Sequence, residues 1–312
     1  MGLTAASPSV SLGEGSTPLV RAGRLSERLG LELHLKIEGA NPTGSFKDRG
    51  MAVAVGRAVE RGARAVVCAS TGNTAASAAA YAARAGIEAV VLTPAGATAG
   101  PKRAQARAAG ARLIEVRGSF DDALRLCREL SEQEGYVLVN SLNPDRIEGQ
   151  ASVSHEVLHQ LGAVPDVVAL PFGGGGNTTA VARGFAEAGA SPRLVAGEAK
   201  KRATTWASAI RIAEPAHAAS IASLVETGVL EVVSLDEDEI RAAWHELAAD
   251  EGVFCEPASA AGVAALRRAG APAGALAVCI VTGHGLKDSD AVDEGGTVTV
   301  DATIDAVLQE LA

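Results

Sequence analysis

Lys47 lies in a segment, residues 41–50, that reads Asn-Pro-Thr-Gly-Ser-Phe-Lys-Asp-Arg-Gly and joins a predicted strand to a predicted helix. Ser45 and Asp48 have the spacing of a helix-capping pair, which places Lys47 in the first turn, at the positive end of the helix dipole. Positive potential and partial burial lower the pKa of a lysine and supply free amine for a Schiff base. A lone lysine is more often solvated, here beside Asp48. The segment alone leaves both interpretations open.

A second segment, residues 70–74, reads Ser-Thr-Gly-Asn-Thr and precedes an alanine-rich predicted helix. The backbone amides at the helix N-terminus, with the hydroxyls of Ser70, Thr71 and Thr74, form a pocket suited to a carboxylate. The alternative is an ordinary helix N-cap. The pattern by itself does not separate the two.

A third segment, residues 172–178, reads Phe-Gly-Gly-Gly-Gly-Asn-Thr, again between a strand and a helix. Consecutive glycines let backbone N–H groups converge, and the helix dipole adds positive potential, so we predict a phosphate site. Neither G-x-G-x-x-G nor a Walker sequence is present, which disfavours a dinucleotide. The alternative is a tight loop with several positive φ angles, but such a loop rarely needs four glycines in a row.

A fourth segment, residues 282–288, reads Thr-Gly-His-Gly-Leu-Lys-Asp and follows the last strong strand pattern. Its glycines expose Thr282 and His284. We interpret His284 as a structural loop residue, because the sequence fixes no carboxylate partner for it. The chain also lacks the G-x-S-x-G pattern, which lowers the case for an acyl-transfer hydrolase.

The elements that position these segments alternate between short β-branched runs and longer amphipathic stretches. The predicted strands are residues 31–37, 65–69, 89–92, 112–116, 137–140, 167–170, 194–197 and 275–281. The predicted helices are residues 46–61, 74–85, 101–109, 120–134, 148–161, 178–188, 236–250 and 259–269. Residues 202–226 are the least periodic. Such alternation predicts parallel strands with ligands beyond their carboxyl ends.

Composition narrows the class of protein further. With 312 residues, 47% of them apolar and 21% charged, the chain is long enough for about two folded domains. A net charge of −9, with scattered basic residues, disfavours nucleic acid as a partner. No apolar run is long enough for a membrane span, and the start does not have the pattern of a secretory signal. Four widely spaced cysteines predict neither a disulfide framework nor a metal site, and fit a cytoplasmic protein.

A candidate Schiff-base lysine, a carboxylate pocket and a phosphate loop on one α/β frame indicate pyridoxal 5′-phosphate, which needs an imine, a phosphate site and an amino-acid partner. The sequence also resembles the threonine synthases, of the tryptophan synthase β-like (fold type II) group of pyridoxal-phosphate enzymes. The resemblance covers most of the chain. Its motifs are Ser16-Thr17-Pro18-Leu19, Lys36-Ile37-Glu38-Gly39, the lysine segment, Glu256-Pro257-Ala258-Ser259 and the Thr282 segment.

The resemblance implies a role for each segment. Lys47 matches the Schiff-base lysine, Asn73 the residue that contacts the 3′ oxygen of the cofactor, and Thr282 the hydroxyl that bonds the pyridine nitrogen. The cofactor phosphate is implied to lie on Gly173, Gly174, Gly175, Gly176, Asn177 and Thr178. Ser70, Thr71 and Thr74 are implied to surround the substrate carboxylate and the phosphate.

Residues 140–150, Asn-Ser-Leu-Asn-Pro-Asp-Arg-Ile-Glu-Gly-Gln, look like the family's recognition segment for the phosphate of O-phosphohomoserine. Arg146 is implied to bind that phosphate with two donors, and Asn140 and Ser141 to add neutral hydrogen bonds. Without the resemblance, the preferred interpretation is a salt bridge of Arg146 to Asp145 or Glu148.

A further stretch, residues 207–212, Ala-Ser-Ala-Ile-Arg-Ile, matches threonine synthases rather than dehydratases. Two stretches depart from the family. The phosphate loop usually runs Gly-Asn-Ala-Gly-Asn, whereas Gly-Gly-Gly-Gly-Asn is closer to serine/threonine dehydratases. Residues 213–215 read Ala-Glu-Pro where Gly-Asn-Pro is common. Both departures bear on the substrate, not on the cofactor.

The resemblance implies an α/β protein of fold type II, with a doubly wound, mostly parallel sheet in a large domain (residues 1–50 plus 148–312) and a smaller, mobile α/β domain (residues 51–147). It implies a homodimeric carbon–oxygen lyase that converts O-phospho-L-homoserine, a small phosphorylated amino acid, and water to L-threonine and phosphate. The alternatives are a lyase acting on another phosphorylated amino acid, a serine/threonine dehydratase, and a non-catalytic α/β protein that binds a phosphate compound.

Overall fold

Strands and helices alternate along the computed structural model, which describes residues 10–96, 100–292 and 297–311. The strands are β1 (Leu19–Arg21), β2 (Glu32–Ile37), β3 (Ala65–Ala69), β4 (Glu88–Pro94), β5 (Arg112–Val116), β6 (Tyr136–Leu138), β7 (Val167–Pro171), β8 (Arg193–Ala199), β9 (Leu230–Leu235) and β10 (Leu276–Val281). The helices are α1 (Gly23–Leu29), α2 (Lys47–Glu60), α3 (Asn73–Ala85), α4 (Pro101–Ala108), α5 (Phe120–Ser131), α6 (Pro144–Leu161), α7 (Gly176–Glu187), α8 (Ala218–Glu226), α9 (Glu237–Ala249), α10 (Ala261–Ala269) and α11 (Ile304–Leu311). Short 3-10 helices span Glu38–Ala40, Ser208–Ile210, Pro257–Ala260 and Gly285–Ala291.

The strands form two sheets. One has six strands in the order β1-β2-β10-β7-β8-β9, and the other has four in the order β5-β4-β3-β6. Every pairing is parallel except that of β1 with β2. The central strands β3 and β7 are buried along their whole length, as expected for parallel sheets covered by helices on both faces.

Adjacent parallel strands bring the chemically interesting loops to common edges. In the larger sheet, β10 lies between β2 and β7, with Val278 opposite both His34 and Val168. The lysine segment, the Thr282 segment and the glycine run therefore follow neighbouring strands at the same carboxyl edge. In the smaller sheet, β3 lies beside β6, so the Ser70 segment and the Asn140 segment share its carboxyl edge.

Helices α2 and α6 pack closely because each has a glycine that lies against the backbone of the other helix. A Cβ built at Gly50 would lie 2.6 Å from the carbonyl oxygen of Arg146, and one at Gly149 would overlap the carbonyl oxygen of Arg49. Backbone at this separation leaves no room for a side chain. The first turns of the two helices, which carry Lys47 and Arg146, are thereby held together.

Most predicted elements are confirmed, and the bounds of 65–69 and 112–116 are unchanged. The start predicted for α6 is wrong. It begins at Pro144 because the Asn143 side chain accepts a hydrogen bond from Asp145 N at 2.8 Å. The elements that the sequence analysis did not predict are β1, β9, α1, α8 and α11. Of these, α8 lies within the stretch described as least periodic, residues 202–226.

The division of secondary structure between the sheets follows the predicted domains. All four strands of the smaller sheet lie within residues 51–147, and all six of the larger sheet lie outside that range. The domain boundaries themselves stay a prediction. Among the helices of the described ranges, none is both long and apolar enough to cross a membrane.

Candidate active site

Lys47 is the first residue of α2, and its loop is fastened to the Thr282 segment. Phe46 N donates to Thr282 O at 3.0 Å, and His284 N donates to Gly44 O at 2.9 Å. These two backbone bonds join the loops that follow β2 and β10. Lys47 and Thr282 are therefore brought to one side of the larger sheet.

The predicted capping pair of Ser45 with Asp48 is wrong. The Asp48 carboxylate is buried and accepts hydrogen bonds of 2.6 Å from Thr43 N, Thr43 Oγ1 and Ser77 Oγ. Ser45 Oγ is buried and has no hydrogen-bond partner among the described residues. Asp48 thus fixes the preceding loop and binds α3, which spacing along the chain could not reveal.

The alternative of a solvated lysine paired with Asp48 is wrong as well. Within the part of the chain that the structure describes, Lys47 Nζ makes no ion pair and lies 4.1 Å from the centroid of the Phe46 ring. Burial, followed by the positive charge of Arg146, lowers the pKa of Lys47 to about 7, while Glu256 opposes the shift. A substantial fraction of this amine is neutral near pH 7, as an attacking amine must be.

Arg146 is fully buried in the first turn of α6, yet its guanidinium is mostly unpaired. Nη1 donates to Val139 O at 3.1 Å, whereas Nε and Nη2 have no partner among the described residues. Burial lowers the pKa of Arg146 to about 10. A buried cation with unused donors is costly unless an anion completes it.

The salt bridge considered for Arg146 is wrong, because Arg57 takes both acidic neighbours. Arg57 donates to Asp145 at 2.6 Å and to both carboxylate oxygens of Glu148, at 2.9 and 2.5 Å. Arg57 is on α2, so this contact depends on how α2 and α6 pack. Arg146 therefore pairs with neither carboxylate and bonds only Val139 O among the described residues.

Helix α3 begins at Asn73. Ser70 bonds two backbone N–H groups at this helix start, whereas the side-chain amide of Asn73 has an oxygen without a partner among the described residues. Ser70 Oγ accepts from Gly72 N at 3.1 Å and from Ala75 N at 3.3 Å, so it partly serves the capping role that was the alternative. Asn73 Nδ2 donates to the two carboxylate oxygens of Glu256 at 3.1 and 2.9 Å. Asn73 Oδ1 has no partner in the described ranges. Thr71 is exposed.

The glycine run leads from β7 into α7. Of its four glycines only Gly175 has a positive φ, at +85°, so a tight turn does not explain the other three. Beyond the run, Thr178 Oγ1 and Asn177 Nδ2 are buried without partners among the described residues. Unpaired donors at a helix N-terminus fit a phosphate group.

Thr282 is buried, and its Oγ1 lies 3.0 Å from Ser259 Oγ. Ser259 Oγ also accepts from Gly283 N at 3.0 Å, which fixes the loop. His284 Nδ1 accepts from Leu286 N at 3.1 Å and begins the following 3-10 helix. The interpretation of His284 as a structural loop residue is confirmed.

Asn140 fixes the loop after β6 within the smaller sheet, and Ser141 contacts a residue that follows the larger sheet's β8. The Asn140 side chain accepts from Ala69 N at 3.0 Å and donates to Ala69 O at 2.9 Å, which ties it to the end of β3. Ser141 O lies 2.9 Å from His217 Nε2.

The sequence analysis did not single out a group of charges beside Asn73. Lys102 Nζ lies 3.5 Å from Glu256 Oε2 and 3.4 Å from Asp288 Oδ2, and it donates to Ser208 Oγ at 3.2 Å. These residues come from four distant parts of the chain. Glu256 lay within a quoted motif, but no local pattern marked Lys102.

The four segments therefore fit pyridoxal phosphate on chemical grounds. A lysine with a depressed pKa, a glycine-lined helix start with orphaned polar atoms, a buried hydroxyl at Thr282 and a free Asn73 oxygen supply the amine and polar groups that this cofactor needs. Arg146 adds a separate anion site.

Comparison with known proteins gives the same class. The family described as pyridoxal-phosphate dependent enzymes matches residues 10–283. The chain belongs to this family of pyridoxal-phosphate-dependent enzymes, and its architecture is that of fold type II.

Its relatives within the family include threonine synthases. The threonine synthase of Mycobacterium leprae is 47% identical over 90% of this chain and 84% of the relative. That of Halalkalibacterium halodurans is 44% identical over 92% of this chain and 86% of the relative. Among solved structures, the processed form of threonine deaminase isoform 2 from Solanum lycopersicum has a TM-score of 0.76 at 25% identity, covering 86% of this chain and 79% of that one.

Proposed function

We propose that the protein is a threonine synthase, which converts O-phospho-L-homoserine and water to L-threonine and phosphate. The observation that carries this proposal is Arg146, a fully buried guanidinium with two unused donor nitrogens beside the lysine. The identity of 47% to a threonine synthase supports the same activity. The phosphate of a phosphorylated substrate can accept hydrogen bonds from the unused nitrogens of Arg146, whereas a substrate without a phosphate leaves these donors unpaired.

The residues that would hold the cofactor are those named from the sequence. Lys47 would supply the amine for the cofactor aldehyde, the glycine run with Asn177 and Thr178 would bind the cofactor phosphate, and Asn73 would contact its 3′ oxygen. When bound, pyridoxal phosphate supplies an electron-withdrawing ring that acidifies the carbon atoms of an attached amino acid.

Lys47 is proposed to move protons at Cα, Cβ and Cγ of the substrate. Its depressed pKa allows it to accept and return a proton near neutral pH. Thr282 would place its hydroxyl, which lies 3.0 Å from Ser259 Oγ, at the pyridine nitrogen of the bound cofactor. A hydroxyl there, unlike a carboxylate, would leave that nitrogen largely unprotonated and limit how far the ring withdraws electrons.

The substrate is proposed to lie between two anion sites. Its carboxylate binds the start of α3, at Ser70, Thr71 and Thr74, where the helix N-terminus adds positive potential. Its phosphate binds Arg146, with Asn140 and Ser141 adjoining. After phosphate leaves Cγ, Arg146 holds it, and the phosphate accepts a proton from the water that adds at Cβ.

Closure of the smaller domain, residues 51–147, is proposed to protect the reaction from early hydrolysis. Contacts across the two sheets, such as Asn73 with Glu256, support a closed arrangement of this kind. We further propose a homodimer, as the resemblance to threonine synthases implies. A cytoplasmic location is consistent with four buried cysteines that form no disulfide in the described ranges.

The competing function is that of a serine/threonine dehydratase. The four-glycine run and the fold shared with a threonine deaminase favour it. A dehydratase substrate would leave the unused donors of Arg146 without an acceptor, since neither serine nor threonine carries a phosphate.

The deciding experiment adds O-phospho-L-homoserine to the pyridoxal-phosphate-loaded protein and quantifies phosphate, L-threonine and keto acid. Equal amounts of phosphate and L-threonine are expected. Parallel reactions with L-serine and L-threonine serve as the control. Keto acid from these, with no phosphate released, would identify a dehydratase, and a colourless protein that takes up no pyridoxal phosphate would identify a binding protein.

A further inference from the structure

His217 lies between the glycine run and the segment that carries Arg146. It follows residues 213–215, where the sequence departs from the common Gly-Asn-Pro. Its backbone N donates to Gly174 O at 3.1 Å. The histidine is therefore attached to the glycine run next to a stretch that departs from the family pattern.

The glycine run leaves the space that the imidazole fills. A Cβ at Gly175 would lie 3.0 Å from His217 Cβ, and a Cβ at Gly176 would lie 3.3 Å from His217 Nε2. Contacts this short force one of the two groups to move. Two glycines of the run are thus matched to His217, and one of them, Gly175, is at a position where the phosphate loop departs from the family.

The imidazole also bonds the Arg146 segment. His217 Nε2 lies 2.9 Å from the carbonyl oxygen of Ser141. A carbonyl oxygen only accepts hydrogen bonds, so Nε2 carries the proton and donates it. This bond crosses from the loop after β8 to the loop after β6, and these two strands belong to different sheets.

Ser141 lies in a segment whose other side is already fixed. Asn140 is bonded on both amide atoms to Ala69, and Asn143 begins α6, the helix that bears Arg146. His217 supplies the contact toward the glycine run. This contact adds a direct hydrogen bond between the Arg146 segment and the stretch attached to that run, beside the packing of α6 against α7.

We propose that His217 is a positioning residue, which holds the substrate-phosphate segment 140–146 at a set distance from the cofactor-phosphate loop 173–176 through its hydrogen bond to Ser141 O. This inference rests on the proposed function for the identity of the two phosphate sites. His217 acts through Ser141 and the start of α6, not on the reacting atoms.

The test compares His217→Leu, which keeps bulk without a donor, with His217→Gln, whose amide can donate to Ser141 O. Loss of one hydrogen bond corresponds to about a tenfold change in an equilibrium constant. His217→Leu is expected to raise KM for O-phospho-L-homoserine about tenfold with kcat little changed, and His217→Gln to remain within about threefold of the natural protein.

Two further measurements separate positioning from general damage. Calorimetry with inorganic phosphate on the pyridoxal-phosphate-loaded proteins is expected to show about tenfold weaker binding only in His217→Leu. Spectroscopic titration of pyridoxal phosphate is expected to show similar cofactor affinity in all variants. His159→Leu and His159→Gln, at an exposed position in the last turn of α6, are the matched controls.

The outcomes are distinct. Unchanged KM and phosphate affinity in His217→Leu, equal impairment of the Gln and Leu variants, or a parallel loss of cofactor affinity would each overturn the positioning role. If the natural protein releases no phosphate from O-phospho-L-homoserine, the proposed function fails. The calorimetry then decides alone: weaker phosphate binding in His217→Leu supports the role, and an absence of phosphate binding in the natural protein overturns it.

Discussion

Two pairs of cations lie near the start of α2, and their partners differ. Arg49 donates through Nε to Glu38 at 2.6 Å and through Nη1 to Glu156 at 2.6 Å, and further bonds reach Thr17 and Ser152. Lys36 donates to Thr17 O, Glu156 and Gln160 at 2.7 to 2.8 Å. These two cations are saturated with partners.

The other pair, Lys47 and Arg146, is not saturated. Within the described residues Lys47 Nζ has no ion pair, and Arg146 has two donor nitrogens without a partner. Carboxylates raise the pKa of Arg49 despite its burial, whereas burial lowers the pKa of Arg146 to about 10. The saturated pair stabilises the fold, and the unsaturated pair is arranged for ligands that the chain does not itself provide.

The strongest test of this contrast uses the lysines. Lys47→Ala is expected to abolish the absorption band of the bound cofactor and to lower turnover at least about a thousandfold, because the nucleophilic amine is lost. Lys36→Met is expected to keep the cofactor band, since Lys36 bonds only Thr17, Glu156 and Gln160. Full turnover by Lys47→Ala with an unchanged cofactor spectrum would show that Lys47 is not the Schiff-base lysine.

The next test uses the arginines. Arg49→Met is expected to lower the free energy of unfolding by about 3–5 kcal/mol, because Glu38 and Glu156 lose a buried partner. Arg146→Met is expected to leave that free energy unchanged or higher, since no carboxylate is stranded, yet to raise KM for O-phospho-L-homoserine by about a hundredfold. Urea unfolding and steady-state kinetics measure the two effects. A strongly destabilised Arg146→Met with a normal KM would assign Arg146 to the fold.

The smallest effect concerns pH. The pKa of Lys47 is lowered to about 7, chiefly by burial and then by Arg146. The unfolded chain therefore binds more protons between about pH 7 and pH 10, and the destabilisation caused by burying this ammonium is lost as the pH rises through that window.

Cofactor capture by the protein stripped of pyridoxal phosphate should follow the neutral amine. Its rate is expected to rise with pH with a midpoint near 7, and Arg146→Met is expected to move the midpoint upward because a neighbouring cation is removed. Stopped-flow absorbance between pH 5.5 and 9.5, referenced to a free lysine analogue, measures this. A midpoint near that of a free lysine in the natural protein would contradict the environment described for Lys47.

Much of the fold could be predicted from the sequence, because apolar residues recur with a regular period in the strands and helices of an α/β protein. β3 and β5 were predicted residue for residue. The edge strands β1 and β9 and the short helices α1 and α8 were not predicted, since short edge elements carry little periodic signal. The start of α6 was missed because Asn143 caps it from a position read as loop.

The parts of the site that consist of consecutive residues could be predicted from the sequence. The four segments and their position after strands indicated an amine, a phosphate and a carboxylate, and hence a cofactor class. The roles of the individual residues in binding stay predictions. The wrong inferences, Ser45 capping with Asp48 and Arg146 bridging to Asp145 or Glu148, both assumed that near neighbours in the chain are partners in space.

The sequence by itself determined the alternation of elements, the loop chemistry and the family, since these depend on local spacing and composition. Only the tertiary structure decided which charged side chains have ion-pair or hydrogen-bond partners. Arg57, on α2, claims the acidic neighbours of Arg146, and Glu256 reaches Asn73 from 183 residues away. Such pairings depend on how elements pack, because hydrogen bonds and ion pairs act over a few ångströms in space, whatever the separation along the chain.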